Sequence, residues 1–375
     1  MDFSYTQEQQ MLLESTRRWL ADNYTAEERR RIMDSPQGYS RSVWRQFSEL
    51  GLLSLNIPEQ DGGLEGGPVG TLIVSMALGE ALVVDPYLSS AVLGTHAIAL
   101  LGTQQQRSRW LAELAAGELI VVLAHEEHGT ALGESHQLET KAVASEGGGW
   151  CLSGHKSVVY HAPAADILLV SAQIEGGPEW GVFAVPRHSV GVDLLCYTTV
   201  DGQRAADVSL ENVDVPADAR LGADARASVA RIVAYGLAAL CAEALGALEK
   251  LLAMTIEYAK TRVQFGSPIA RFQVLQHRLA DMLIHVEQAR SMAYLAASRC
   301  ESGEAAERAA AVSSAKVVIG NAARFVGQQA LQLHGAMGMT DELAVSHYFK
   351  RLLAFELRFG STAAHIEHYA ALALN

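Results

Sequence analysis

One long segment without proline constrains the fold more than any other part of the sequence. Residues 228–261 contain no proline, and their apolar side chains recur every three to four positions. This spacing predicts a single helix of about 50 Å, because an α-helix rises by about 1.5 Å per residue. Two more long, alanine-rich helices are predicted over residues 272–301 and 308–333, and a fourth after Ser346. Long helices with short connections predict a four-helix bundle over residues 224–375.

The first block, residues 1–117, also carries helical patterns. Thr6 and Gln9 match the start of a helix, in which each side chain bonds to the backbone N–H of the other residue. Three more helices are predicted, over residues 71–82, 89–101 and 104–115. Residues 58–68 are rich in glycine and bounded by prolines, which predicts a loop. We therefore expect this block to be helical throughout.

The middle block, residues 118–222, has a different pattern. Short segments rich in Val, Ile and Leu alternate with Gly, Pro and Asp, which is typical of strands and turns. The predicted strands cover residues 119–124, 149–152, 167–172, 180–185, 207–210 and 213–215. Such short, closely spaced strands favour an antiparallel barrel or sandwich. The sequence thus predicts an α+β multidomain chain: an N-terminal helical domain (1–117), a central antiparallel β-barrel domain (118–222) and a C-terminal four-helix bundle (224–375).

Composition and charge exclude several classes of protein. The chain carries 29 Lys and Arg against 42 Asp and Glu, without a basic stripe, which argues against a nucleic-acid binder. The four cysteines form no C-x-x-C pair, so neither a zinc site nor a disulfide framework is indicated. The N-terminus lacks an apolar signal core, and no apolar run approaches the ~20 residues that span a bilayer. We expect a cytoplasmic protein with no membrane partner.

Two motifs in the last block carry a specific resemblance. Residues 262–273 read Arg-Val-Gln-Phe-Gly-Ser-Pro-Ile-Ala-Arg-Phe-Gln, and residues 332–340 read Gln-Leu-His-Gly-Ala-Met-Gly-Met-Thr. Both resemble signatures of the acyl-CoA dehydrogenases, and the order of helices, strands and helices is similar to that family. Residues 241–249 and 347–351 look most like small subunits of heteromeric bacterial members, of the pimeloyl-CoA dehydrogenase type.

The resemblance implies an FAD site that is shared between subunits. In the family, the corresponding groups reach across a dimer interface to the flavin of the neighbouring subunit. Arg262 would give a bidentate donor to the pyrophosphate, and Phe265 an aromatic face beside the adenine. Gln273 and Gln332 can hydrogen-bond to the cofactor, and Gly335 leaves room for it. The alternative is that Arg262 caps the end of a helix and the glycines form simple turns.

The reaction implied by the resemblance needs a carboxylate base. The base removes a proton α to the thioester while a hydride leaves the β-carbon for the flavin. Most members place a Glu before a Gly-Thr pair near the C-terminus, but here Phe359 stands at that position; others use the position of Gly236. Glu243, two turns further on nearly the same helix face, is the candidate catalytic base, with a buried carboxylate paired to an Arg as the alternative. Glu356 is a second candidate.

The segment that faces the flavin in the family also differs. Instead of Thr-Glu-Pro, residues 125–130 read His-Glu-Glu-His-Gly-Thr, and the later Trp-Ile-Thr reads Val-Val-Tyr over residues 158–160. Thr130 or Tyr160 could partly replace the lost groups. The histidines lack the H-E-x-x-H spacing of a zinc site, so we interpret residues 125–130 as a solvated loop, not a metal site. His365 and His368 are interpreted in the same way.

These differences favour a divided active site. An intact Arg262, Phe265 and Gln332 beside a missing base predicts an acyl-CoA dehydrogenase subunit that supplies the trans half of the FAD site to a homologous catalytic partner. Two alternatives stay open. One is a self-sufficient homo-oligomeric enzyme with a non-standard base such as Glu243, and the other is a non-catalytic interaction subunit. The expected ligands are FAD and an acyl-CoA substrate, without a metal.

Overall fold

The computed structural model describes residues 5–128, 138–145 and 147–374. Its helices are α1 (Gln7–Asn23), α2 (Ala26–Asp34), α3 (Arg41–Glu49), α4 (Gly67–Glu80), α5 (Thr95–Leu101), α6 (Gln104–Ala115), α7 (Arg226–Thr261), α8 (Gln273–Arg299), α9 (Ala305–His334), α10 (Ala344–Leu357) and α11 (Thr362–Leu374). Its strands are β1 (Val121–Ala124), β2 (Lys141–Ala144), β3 (Trp150–Tyr160), β4 (Ile167–Ile174), β5 (Trp180–Pro186), β6 (Val192–Thr198), β7 (Arg204–Val215), β8 (Arg220–Leu221), β9 (Val263–Gln264) and β10 (Ser267–Pro268). A π-helical segment, Tyr87–Gly94, leads into α5. The predicted order of helices, sheet and helices is confirmed.

The predicted helix starts have the expected hydrogen bonds. The hydroxyl of Thr6 accepts from the backbone of Gln9 at 3.2 Å, and the side chain of Gln9 accepts from the backbone of Thr6 at 3.0 Å. Thr103 and Gln106 repeat this capping box at the start of α6. The C-terminal part differs from the prediction, because the expected fourth helix is divided into α10 and α11 by a turn at residues 358–361.

The central helix α7 also corrects an expectation about membranes. By length and composition, α7 is apolar enough to cross a bilayer, although no such segment was expected from the sequence. However, 83% of its most apolar window is buried inside the protein, which is the environment of a core helix. Tertiary contacts, not lipid, therefore cover its apolar side chains.

Contacts divide the chain into two compact units. The first unit contains Met1–Arg29, Pro68–Val83 and Leu237–Asn375, and the second contains Arg30–Gly67 and Val84–Gly236. The division into three domains stays a prediction. In the first unit, α4 and α7 pack closely through two glycines, since a Cβ on Gly79 or Gly246 would lie 2.0 Å from a carbonyl oxygen of the facing helix. Any side chain at these positions would push the helices apart.

The second unit is built around one sheet. Its strands follow the order β6-β7-β3-β2-β4-β5-β8, and β1 pairs with β4. The pairs are antiparallel except for β1 with β4 and β2 with β4, which are parallel. Within the described residues, β6 pairs only with β7 and β8 only with β5, so the edges do not meet. The predicted barrel is therefore wrong: closure needs paired edge strands, and this sheet is open.

Candidate functional site

A tight hairpin follows α7 at the first motif. Strands β9 and β10 pair with Phe265 and Gly266 at the turn, where φ is +52° and +78°. Two residues with positive φ make a type I′ hairpin turn, a position where phenylalanine is unusual. The Phe265 ring meets Phe272 edge-on, with centroids 6.1 Å apart, yet 93% of its surface is exposed. The hairpin thus presents an aromatic ring to solvent.

The second motif lies at the same end of the first unit. The rings of Tyr258, near the end of α7, and His334, at the end of α9, stack with centroids 4.2 Å apart. Near the start of α8, Arg278 donates to the side chain of Gln329 on α9 at 3.1 Å. The end of α7, the start of α8 and the end of α9 therefore lie together, and these helix ends carry every predicted cofactor residue.

The predicted cofactor residues are all exposed. Arg262, Gln273 and Gln332 make no side-chain hydrogen bond within the described part of the chain. Gly335 has a φ of +63°, and a Cβ added there would meet no atom within 4 Å. The guanidinium and amide groups are thus available to a ligand, and the backbone at Gly335 is open to close approach.

Glu243 is engaged by a buried arginine. Arg351, on α10, donates to Oε1 of Glu243 at 2.6 Å, and it also donates to the carbonyl of Val83 at 2.9 Å. The side chain of Arg351 is 4% exposed and that of Glu243 is 13% exposed. This is the ion pair that the sequence offered as the alternative role of Glu243. A catalytic role for Glu243 stays a prediction.

Phe359 stands on a firmly held turn between α10 and α11. Its φ is +56°, and its side chain is buried. Lys316, on α9, is fully buried and donates to the carbonyls of Phe355 and, at 2.7 Å, Arg358. His365 Nε2 lies 2.9 Å from the Phe359 carbonyl. The interpretation of His365 as solvated is wrong, because its ring is buried against this turn. Burial lowers the pKa of His365 to about 4.

Glu356 is also occupied at this turn. Its two oxygens accept from the backbone N–H and the hydroxyl of Thr362, at 3.0 and 2.6 Å, and so cap the start of α11. Gly236, the other family position for a base, faces Leu93, and a Cβ added there would lie 2.4 Å from that side chain. Neither family position therefore holds a carboxylate, and Glu356 serves as a helix cap.

The end of β1 forms a buried polar cluster. Glu127 accepts from Lys156 Nζ at 2.6 Å, from the Thr140 hydroxyl at 2.6 Å and from the Glu139 backbone at 2.6 Å. Burial opposes ionisation of Glu127, but Lys156 and these hydrogen bonds outweigh it and lower its pKa. Burial lowers the pKa of Lys156 to about 8 although Glu127 opposes this shift. The predicted solvated loop is therefore wrong at Glu127, whose charge needs these partners.

The remaining residues singled out in the middle block are Thr130, Val158 and the histidines considered as metal ligands. Thr130 lies outside the described residues. Val158 has a φ of +50°, and its backbone donates to Asp207 at 2.8 Å, so an exposed Val stands where the resemblance implies a Trp. In the part of the chain that the structure describes, no group of three or more His, Cys, Asp or Glu could hold a metal.

Sequence reasoning missed the two buried lysines. Lys156 occupies an inward position of β3, and Lys316 lies on the apolar face of α9 between Val312 and Ile319. The available signal was a lysine at a position where the periodic pattern expects an apolar residue. Such a lysine indicates a buried ammonium group, which needs hydrogen-bond or charge partners inside the protein.

Comparison with known proteins gives consistent matches. Family models described as acyl-CoA dehydrogenase N-terminal and C-terminal domains match residues 6–118 and 227–374. Acyl-CoA dehydrogenase FadE27 of Mycobacterium tuberculosis is 30% identical over 349 residues, 91% of this chain and 90% of the relative. The ChsE4-ChsE5 complex from the same species is 27% identical, with a TM-score of 0.89 over 100% of this chain and 99% of that chain. An acyl-CoA dehydrogenase complexed with FAD from Bacillus anthracis shares the fold at 23% identity, with a TM-score of 0.89 over 99% of this chain and 67% of that one.

Proposed function

Because the chain belongs to the acyl-CoA dehydrogenase family, we propose that it is a subunit that completes an FAD site on a homologous partner subunit. The FAD, when bound, accepts a hydride from the β-carbon of an acyl-CoA thioester. This chain would contribute cofactor contacts, and the partner would contribute the base and the flavin-facing half. The similar ChsE4-ChsE5 structure is a complex, the kind of assembly that this proposal requires.

The exposure of Phe265 carries the proposal. A phenylalanine with 93% of its surface in water forgoes about 2 kcal/mol of burial, on a turn that glycine or asparagine would fit better. A planar ligand or a partner surface that covers the ring would recover this free energy. Arg262, at the base of the same hairpin, is also exposed, so the segment offers both an aromatic face and a permanent cation.

The residues at this end of the first unit fit one half of a dinucleotide. Arg262 can form two parallel hydrogen bonds to a pyrophosphate, and Phe265 offers a face for a base. Gln273 and Gln332 add amide donors and acceptors, and Gly335 lets the ligand approach the backbone. None of these groups can remove a proton from carbon at neutral pH, so this end of the unit binds and orients.

The positions that would supply a base support a partner's involvement. Phe359 has no proton-accepting group, Gly236 has no side chain, and Leu93 fills the space beside Gly236. The carboxylate of Glu243 is neutralised by Arg351, and that of Glu356 caps α11. Within the family, we assign the chain to the small subunits of heteromeric bacterial enzymes, of which the pimeloyl-CoA dehydrogenase small subunit is the type that the sequence most resembles.

The test is the flavin content of the complex. The chain is purified alone and after co-expression with a homologous subunit from the same genome, and FAD per chain is measured by visible absorbance. We expect a colourless single chain and a yellow complex with about one FAD for every two chains. In the complex, Arg262→Met should reduce bound FAD more than tenfold, because a charge-assisted bidentate contact is lost.

Arg271→Met is the matched control, since Arg271 is an exposed arginine nine residues further along. It should leave the flavin content unchanged. Equal numbers of FAD and chains, with turnover by this chain alone, would show instead a self-sufficient enzyme. Unchanged flavin in the Arg262→Met complex would show a subunit that interacts without touching the cofactor.

A further inference from the structure

A stack of two rings joins the two motifs of the first unit. The ring of Tyr258, one turn before Arg262, lies against the ring of His334, on the last turn of α9, with centroids 4.2 Å apart and planes 26° apart. His334 is 6% exposed, and Tyr258 is half-buried. Stacked rings stabilise each other beyond the area that they bury. The contact therefore holds the ends of α7 and α9 together.

A hydrogen bond fixes the His334 ring in this position. Its Nδ1 lies 2.8 Å from the carbonyl of Ala330, and since a carbonyl can only accept, Nδ1 carries the hydrogen. Burial lowers the pKa of His334, although this hydrogen bond opposes the shift. The pKa therefore lies below the ordinary value of about 6.5, and the ring is neutral at pH 7. A neutral ring, tied to the backbone through Nδ1, is what stacks on Tyr258.

Tyr258 is connected to the first motif through the backbone. The N–H of Arg262 donates to the Tyr258 carbonyl at 2.8 Å, a helical bond at the end of α7. The Arg262 carbonyl in turn accepts from the N–H of Ile269 at 2.9 Å, on the far side of the hairpin. The place where Arg262 leaves the helix therefore depends on where Tyr258 is held.

His334 is connected to the second motif in a similar way. The N–H of Gly335 donates to the carbonyl of Gln332, and a φ of +63° at Gly335 turns the chain out of α9. A Cβ added to Gly338 would lie 3.0 Å from the Cβ of His334 and 3.2 Å from the Leu331 carbonyl oxygen, so the turn closes directly over His334. The positions of Gln332 and Gly335 therefore depend on His334.

We infer that Tyr258 and His334 are positioning residues, whose stack sets the distance and angle between the Arg262 motif and the Gln332 motif. Neither residue needs to touch the cofactor. A ligand that contacts both motifs binds more tightly when they are already held in place, since less conformational freedom is lost on binding. The effect on FAD rests on the proposed function, whereas the link between the two motifs does not.

The first test measures amide hydrogen exchange in the full chain without FAD. His334→Ala removes the stack, so exchange in residues 258–273 and 332–340 should become faster by about threefold to tenfold. His285→Ala is the matched control, because the His285 ring also contacts an aromatic ring, that of Phe325 on α9, with centroids 4.3 Å apart. It should leave exchange in both motifs unchanged. Equal exchange in His334→Ala and the native chain would overturn the inference, whatever the fate of the divided FAD site.

The second test measures the dissociation constant of FAD for the heteromer. His334→Ala should raise it by about threefold to tenfold, whereas His334→Phe, which keeps a ring against Tyr258, should stay within about twofold of the native value. At saturating FAD, turnover of the His334→Ala complex should return to the native value, because the partner supplies the base. Turnover that saturating FAD does not restore would contradict a role in positioning alone.

A double substitution separates one shared contact from two independent ones. Tyr258→Leu should weaken FAD binding about as much as His334→Ala, and the combined variant no more than either alone, because both remove the same stack. Effects that multiply would show that the two residues act separately, and the inference would be wrong. So would an unchanged FAD affinity in His334→Ala while Arg262→Met loses its flavin. If Arg262→Met keeps its flavin, the divided site fails instead, and hydrogen exchange still decides the link.

Discussion

Two lysines in this chain have no exposed surface, and their environments differ. Lys156, in the sheet, faces the carboxylate of Glu127 at 2.6 Å. Lys316, in the helical unit, donates to the carbonyls of Phe355 and Arg358, and its Nζ lies 4.0 Å from the centre of the Phe355 ring. The first cation is balanced by an opposite charge, and the second is stabilised by carbonyl dipoles and an aromatic face.

Each lysine supports a position where the resemblance implies a different residue. Lys156 supports the end of β1, where His125 stands in place of a threonine, and Lys316 supports the turn where Phe359 stands in place of a glutamate. In both regions the buried supports are complete, and the residue that would face a ligand is the one that differs. The two regions therefore show two ways in which the fold stabilises a buried ammonium group beside such a position.

The largest effect should follow from removing the charge in the sheet. Lys156→Met leaves the carboxylate of Glu127 buried without its cation, and we expect a loss of about 3–5 kcal/mol in the free energy of unfolding. Urea unfolding measures it. Lys141→Met, at an exposed lysine of β2, is the control and should change stability by less than about 0.5 kcal/mol.

A second substitution shows whether the charge is the cause. Removing both partners, in Lys156→Met with Glu127→Met, should recover part of the loss, because no uncompensated charge remains buried. If the double variant is no more stable than the single one, packing of the lysine stem and the hydrogen bonds of Glu127 dominate instead.

The turn at Phe359 should be sensitive to acid through His365. Burial, together with Lys316 and His368, lowers the His365 pKa to about 4, against about 6.5 in the unfolded chain. The unfolded chain therefore binds the proton first, so this contribution to stability is complete above pH 6.5 and is lost as pH falls towards 4. At about 1.4 kcal/mol per pH unit, the loss approaches about 3 kcal/mol.

Unfolding free energies at pH 7 and pH 4.5 check this prediction. The fall in stability should be smaller by about 2–3 kcal/mol in His365→Gln, which keeps an N–H for the Phe359 carbonyl but does not titrate. His277→Gln, at an exposed histidine of α8, should follow the native protein. Equal pH dependence in the native protein, His365→Gln and His277→Gln would show that His365 is not the group responsible.

Removing the lysine of the helical unit should cost less than removing Lys156. Lys316→Met removes the hydrogen bonds to the carbonyls of Phe355 and Arg358. Neither of these acceptors is a carboxylate, so we expect a loss of about 1–3 kcal/mol in the free energy of unfolding. Lys350→Met, at a surface pair with Asp341, should cost about 0–1 kcal/mol. A cost for Lys316→Met equal to that of Lys156→Met would remove the contrast between the two environments.

Sequence patterns anticipated the helices better than the sheet, for physical reasons. Residues 104–115 were predicted as a helix and form α6, because polar caps and periodic apolar residues agree there. Strand β6 was missed, since its burial does not alternate cleanly and it exposes Leu195. Strand β7 was expected as two strands, because Asn212, with a φ of +51°, interrupts its apolar pattern without ending it.

The site residues were predictable where they lie within a short local sequence motif. Arg262, Phe265 and Gln332 were found because their motifs are local, and the structure gathers them at one end of the first unit. The ion pair of Glu243 with Arg351 joins residues 108 positions apart, and no local pattern indicates which arginine pairs with Glu243. The contacts of Ser171 with His125 and Lys156 join β4 to the end of β1 and to β3, which no spacing rule encodes.

The smallest effect on stability should come from the exposed hairpin. It tests a residue that would meet a ligand, where the earlier substitutions test buried supports. Phe265→Asn replaces a residue that fits the left-handed turn poorly with one that fits it well, and asparagine before Gly266 is the preferred type I′ pair. The edge contact with Phe272 is lost, which offsets part of this gain, so we expect the free energy of unfolding to rise by about 0.5 kcal/mol.

In the same variant, the amount of FAD retained by the complex should fall. Unfolding in urea and flavin absorbance measure the two quantities on one preparation. If the variant instead loses more than about 1 kcal/mol, the Phe265 ring is itself a structural support, and the distinction between buried supports and exposed ligand-facing residues fails at this hairpin.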